Sequence, residues 1–150
     1  MLVHADAELL AQAVADRLTA AVAASGSASV VLTGGGIGTR VLAELARGPA
    51  RNAIDWSRCD IWWGDERFLP AGDPERNETG ARAALLDHVG VDPDRVHPMS
   101  PSDGPDGDNP EAAAERYAGL LRGAVVRRAD AGHRAGRACC VAVPRDARGP

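Results

Sequence analysis

The sequence predicts an α/β fold, the amino-terminal part of a doubly wound, mainly parallel sheet with flanking helices. Three observations carry that expectation. Short apolar runs rich in Val, Ile and Trp alternate with longer stretches of helical periodicity. The runs end in glycine-rich or charged turns, where open α/β sheets collect their ligands. With 150 residues, 45% hydrophobic and 25% charged, the chain has material for one globular core.

Each element follows in order. Asp6 is suited to cap a helix whose apolar stripe is Leu10, Val14, Leu18 and Val22. SGS at residues 25–27 ends it, and ASVVLT (28–33) reads as a buried parallel strand. GGGIGT (34–39) is a tight turn into the helix RVLAELAR (40–47), closed by Gly48 and Pro49. CDIWWG (59–64) is the next strand, and AGDPERN (71–77) is loop. In NETGARAALLDHV (77–89), Asn77 is the candidate cap and Ala81, Leu85 and Val89 share one face. Residues 95–97 form a short extended piece before a polar loop, SPSDGPDGDNP. PEAAAERYAGLLRGAVV (110–126) is a helix with Pro110 in its first turn. The remainder is rich in Arg, Ala and Gly and offers only CCVAV as a strand. The chain accordingly divides into a partial domain at 1–123 and an atypical, disordered tail at 124–150, as if an α/β sheet were cut short.

Composition excludes several chemistries. All seventeen basic residues are Arg, so no lysine serves a P-loop or a Schiff base. Arg is left as the permanent cation for phosphate or carboxylate. A net charge of −4 and a pI near 5.5 argue against nucleic-acid or acidic-membrane partners. Cys59, Cys139 and Cys140 have neither metal-ligand spacing nor an even count for disulfides. The start MLVHADAELL lacks a signal-peptide pattern and no apolar run reaches membrane-spanning length, so a cytoplasmic protein is expected.

Two constellations carry chemistry. Gly34, Gly35, Gly36 and Gly38 lie between a strand and a helix, where main-chain N–H groups and the helix's positive end make an anion site. The run is no dinucleotide fingerprint, since Thr39 stands where the last glycine belongs; a tight turn and nothing more is the plain alternative. In WWGDERF the second strand ends in Asp65, Glu66 and Arg67. Arg67 can grip a phosphate bidentately, and Asp65 or Glu66 can bond a sugar hydroxyl or hold Arg67. A solvated turn with a local ion pair is the alternative here. His4, His88, His97 and His133 have no evident base or nucleophile partner.

These residues resemble the 6-phosphogluconolactonase family. VVLTGGG before a helix, then IDWSRCDIWWGDERFLPAGDPERNETGARAALL, VHPM and NPEAAAERYAGLL, are similar to that family's successive segments over about residues 1–123. The resemblance implies hydrolysis of 6-phospho-D-glucono-1,5-lactone to 6-phosphogluconate in the pentose phosphate pathway, with no cofactor and no metal. The substrate and phosphate ligands it implies are Gly34, Gly35, Gly36, Thr39, Asp65, Glu66 and Arg67, with Asp65 beside the reacting end. Partners would be a phosphorylated sugar lactone alone, without nucleic acid or membrane. The family's water-activating His, in a Gly-Pro-Asp-Gly-His segment, has no counterpart here, so the catalytic residue is unassigned. A truncated, inactive fragment is therefore one alternative, and the tail's composition fits out-of-frame translation of a GC-rich gene. A sugar-phosphate isomerase or deaminase on the same fold is another; Arg67, where those enzymes carry Tyr, counts against it.

Overall fold

The computed structural model describes residues 7–130 and 139–140. The expectations for His4, Asp6, His133 and the rest of 131–138 and 141–150 lie outside the described residues. Helix α1, Ala7–Ser25, buries Ala11, Ala15, Leu18 and Val22, with Leu10 and Val14 of the expected stripe half-buried beside them. Strand β1 is Ala28–Leu32, α2 Gly36–Arg47, α3 Ala50–Ala53 and β2 Cys59–Trp63. Helix α4 follows at Asn77–Ala84, β3 at Val96–His97, α5 at Pro110–Asp130 and β4 at Cys139–Cys140.

The strands lie in the order β3-β2-β1-β4 and every pairing is parallel. From β1 the chain steps outward to β2 and β3, then returns to the far side of β1. That reversal makes the sheet doubly wound, as the sequence predicts, and puts its topological switch point at the carboxyl ends of β1 and β4. β4 adds Cys139 and Cys140 beside Val30 and Val31, so the two cysteines of the tail are sheet residues. Helix α5 runs through residue 123, where the sequence suggests a boundary, to Asp130.

The two faces of the sheet are packed differently. Val30 and Leu32 of β1 and Cys59, Ile61 and Trp63 of β2 share one apolar cluster with α1, α2 and α4. Burial, helped by Asp55 and Asp60, pushes the Cys59 thiol up to about 11, so it stays protonated and acts as a packing group. On the other face Trp62 stacks on His97 at 4.0 Å and meets Tyr117 edge-on at 6.0 Å. The Tyr117 hydroxyl donates to the Trp63 carbonyl at 2.9 Å and accepts from the Trp63 N–H at 2.8 Å. β3 pairs no further than Trp62, and Tyr117 supplies the missing main-chain partner one residue on. Burial raises its hydroxyl pKa.

Two boundaries differ from expectation for physical reasons. Helix α2 starts at Gly36 rather than residue 40, because the first turn packs against the end of β1 and absorbs glycines that propensity alone would leave in a turn. Helix α4 stops at Ala84 rather than at Val89. Leu85 breaks it at φ −141°, and a tight turn, Leu86–His88, buries Leu85 and Leu86 together. The His88 ring bonds the Ala83 carbonyl at 2.9 Å there.

Candidate functional site

The loop after β1 is built from main chain. Gly35 sits at φ 88°, ψ 164°, a conformation that side chains do not tolerate. Gly38 lets the first turn of α2 lie on β1: a Cβ there would stand 2.6 Å from the Thr33 carbonyl oxygen. No side chain caps α2, so its leading N–H groups and its positive end meet no side-chain acceptor at the sheet's carboxyl edge. The Thr39 hydroxyl turns back to the Gly35 carbonyl at 3.2 Å.

The loop after β2 is built from side chains. Asp65 is exposed, and one of its carboxylate oxygens accepts from the Thr33 hydroxyl at 3.2 Å, tying the two strand ends together. Glu66 turns the other way. Its side chain is 3% exposed, and its oxygens accept from the main-chain N–H groups of Arg67 at 2.8 Å, Asn77 at 2.6 Å and Glu78 at 2.9 Å. It thereby caps α4 from a distant loop, while Arg76 occupies the cap position in the chain. Asn77, the cap expected from sequence, spends its carboxamide elsewhere. Its Nδ2 donates to the Asp65 carbonyl at 2.9 Å, and the group lies against Gly34, leaving no room there for a Cβ.

Arg76 is the deepest charge of the site. Its guanidinium, fully buried, lies 3.6 Å from Glu66 and 3.1 Å from Glu78, and donates to the carbonyls of Leu69 at 3.1 Å and Met99 at 2.9 Å. Its Nε is buried without a partner among the described residues. Arg67, two residues past Asp65, is exposed, and its guanidinium has no partner among the described residues. The loop before α5 braces this arrangement: Asp103 accepts from the Ala71 N–H at 2.8 Å, and the Ser102 N–H donates to Leu69 at 3.0 Å. Hydrogen bonds from Arg116, at 2.8 Å, and from Ser100 hold the Asp106 carboxyl below the usual carboxylate range.

A cavity of about 190 Å³ opens between the two loops, walled by Thr33, Gly34, Gly35, Thr39, Pro74 and Asn77 among others. The structure thus gathers Gly34, Gly35 and Thr39 around one space, with Gly36 opening the adjacent helix and Asp65 joined to its rim through Thr33. Thr33, Arg76 and Asn77 belong to the arrangement and are absent from the sequence-predicted set. The signal for Arg76 and Asn77 is their adjacency at the start of α4, which does not reveal what either touches. Two of the four histidines are described, and they lie elsewhere: His88 in the turn after α4, His97 between Trp62 and Asp60, 3.6 Å from the carboxylate. Among the described residues no group of three or more His, Cys, Asp or Glu converges as metal ligands, and no helix is long and apolar enough to cross a membrane.

Comparisons with known proteins identify the relatives of this chain. The family profile described as glucosamine-6-phosphate isomerases/6-phosphogluconolactonase matches residues 4–133. A 6-phosphogluconolactonase of Streptomyces coelicolor is 60% identical over 130 residues, covering 84% of this chain and 50% of that protein. One from Mycobacterium leprae is 51% identical over 108 residues, covering 71% and 42%. Among solved structures, the 6-phosphogluconolactonase of Trypanosoma brucei superposes with a TM-score of 0.65 at 25% identity, over 80% of this chain and 47% of that one. The chain spans about half the length of the relatives it matches.

Proposed function

The chain belongs to the glucosamine-6-phosphate isomerase/6-phosphogluconolactonase family, and from that membership we propose that it serves the hydrolysis of 6-phospho-D-glucono-1,5-lactone to 6-phosphogluconate. The observation that carries the reading is the uncapped amino end of α2 at the topological switch point. Main-chain N–H groups and a helix dipole converge there on a cavity and suit a phosphate dianion. Arg67, exposed in the loop after β2, adds a guanidinium fork for phosphate or for the sugar's oxygens in this reading. In this reading Gly34, Gly35, Gly36 and Thr39 hold the phosphate, and Asp65, exposed and steadied by Thr33, stands beside the lactone carbonyl. Arg67 in place of a tyrosine favours lactonase over deaminase chemistry. The reaction takes place in the cytoplasm and uses a small phosphorylated lactone, with no nucleic-acid or membrane partner.

A second reading is favoured by one observation. His88 and His97 lie away from the cavity, and among the described residues no other imidazole is present to activate water. The cavity, at about 190 Å³, is also smaller than the roughly 300–1,000 Å³ of complete ligand pockets. The chain would then bind the phosphosugar and not turn it over. Lactone hydrolysis by the purified 150-residue chain, against the spontaneous background and an Arg67→Ala variant, separates the two. A rate above background that the variant loses supports lactonase action within this chain. A background rate with retained binding of 6-phosphogluconate supports the binding half-site, and neither rate nor binding rejects both.

A further inference from the structure

We propose that Glu66, the middle member of the Asp-Glu-Arg triplet, is a positioning residue that holds the two loops of the site in register and never touches the ligand. This assigns different roles to adjacent carboxylates, and it deepens the lactonase reading on which the words "site" and "ligand" rest. Asp65 is exposed and bonded to the first loop through Thr33. Glu66 is buried, and both of its oxygens are committed: one to the N–H groups of Arg67 and Asn77, the other to the N–H of Glu78 with Arg76 alongside. A carboxylate accepting three main-chain N–H bonds and facing a buried guanidinium has little capacity left for a sugar hydroxyl.

The chain of contacts shows what this commitment does. By fixing the Asn77 N–H, Glu66 sets where α4 begins. Asn77 then places its carboxamide between the Asp65 carbonyl and Gly34, one group touching both loops. Arg76 seals the assembly from beneath by bonding the carbonyls of Leu69 and Met99. Position thus passes from Glu66 through Asn77 to Asp65 and the glycine turn, with no step requiring ligand contact.

Amide hydrogen exchange by NMR on the full chain tests this directly. In Glu66→Gln, which keeps shape but loses an acceptor, the Asn77 and Glu78 amides should exchange at least about tenfold faster, as expected for loss of a charge-assisted bond. The Asn77 side-chain NH₂ signals should shift toward free-amide values while amides in β1 keep their protection. Asp65→Asn should leave exchange at Asn77 and Glu78 unchanged. In the same samples, 6-phosphogluconate should shift neighbouring main-chain signals but not the Glu66 carboxylate carbon. Unchanged exchange in Glu66→Gln, or a carboxylate carbon that moves in parallel with binding, overturns the proposal. Should Glu66→Gln fail to fold, the wild-type chain still decides: a hydrogen-bond scalar coupling between the Asn77 nitrogen and the Glu66 carboxylate carbon is expected, and its absence refutes the clamp. If 6-phosphogluconate does not bind at all, the lactonase reading falls, and exchange and coupling still judge the clamp.

Discussion

Two helices begin at the carboxyl edge of this sheet, and their first turns are treated in opposite ways. At α4 the leading N–H groups of Asn77 and Glu78 are met by Glu66, a carboxylate from a loop eleven and twelve residues earlier. At α2 no side chain arrives, and the turn before it is glycine. A helix's first turn always leaves N–H groups in want of an acceptor. One end is closed with the protein's own anion and becomes framework, braced by buried Arg76. The other stays open beside the cavity between the loops after β1 and β2, where an external anion can complete it. The contrast separates the part of the candidate site that holds shape from the part proposed to hold ligand, although both read as motifs in the sequence.

Substitutions can break that contrast, in decreasing order of expected effect. Arg76→Ala leaves Glu66 buried without its cation and the Leu69 and Met99 carbonyls without a donor, which should cost about 3–5 kcal/mol in urea denaturation. A midpoint within a few tenths molar of wild type would show that the closed end is not framework. Gly38→Ala puts a methyl 2.6 Å from a main-chain oxygen that cannot swing away, for an expected loss of about 1–3 kcal/mol. Gly34→Ala meets a side chain instead. The Asn77 carboxamide must leave the Asp65 carbonyl, costing about 1 kcal/mol and moving its NH₂ signals. Gly36→Ala sharpens the comparison from the other direction: a Cβ there meets nothing within 4 Å, so it should stabilise by about 0.4–1 kcal/mol through the unfolded chain. Arg67→Ala should shift stability by less than about 0.5 kcal/mol while weakening ligand binding, the signature of the open half.

Much of the fold was legible because it rests on strong local signals. ASVVL and CDIWW are short, mostly apolar runs followed closely by glycine, the pattern expected of buried parallel strands. Glycines at 34, 35 and 38 marked a special turn: Gly34 makes room for the Asn77 side chain, Gly35 takes a positive φ, and Gly38 admits the Thr33 main chain. What could not be read was direction. Asp65, Glu66 and Arg67 are three adjacent charges, and nothing local says that the middle one turns inward. That depends on Arg76 arriving beneath it from ten residues on. The start of α2 was misplaced for a related reason: tertiary contact with β1 overrides the poor helix propensity of glycine. The early end of α4 reflects the burial of two consecutive leucines, which a continuous helical stripe would split.

On the proposed reading, the open end of α2 takes the phosphate of a six-carbon phosphosugar, with the exposed Arg67 as a second contact. An NMR titration of the ¹⁵N-labelled chain with 6-phosphogluconate tests it most directly. The expected result is saturable shifts confined to the amides of residues 34–39 and their neighbours, with a Kd raised at least about tenfold by Arg67→Ala, the loss expected of a charge-assisted pair. No shift at those amides, or an affinity that Arg67→Ala leaves untouched, would contradict it.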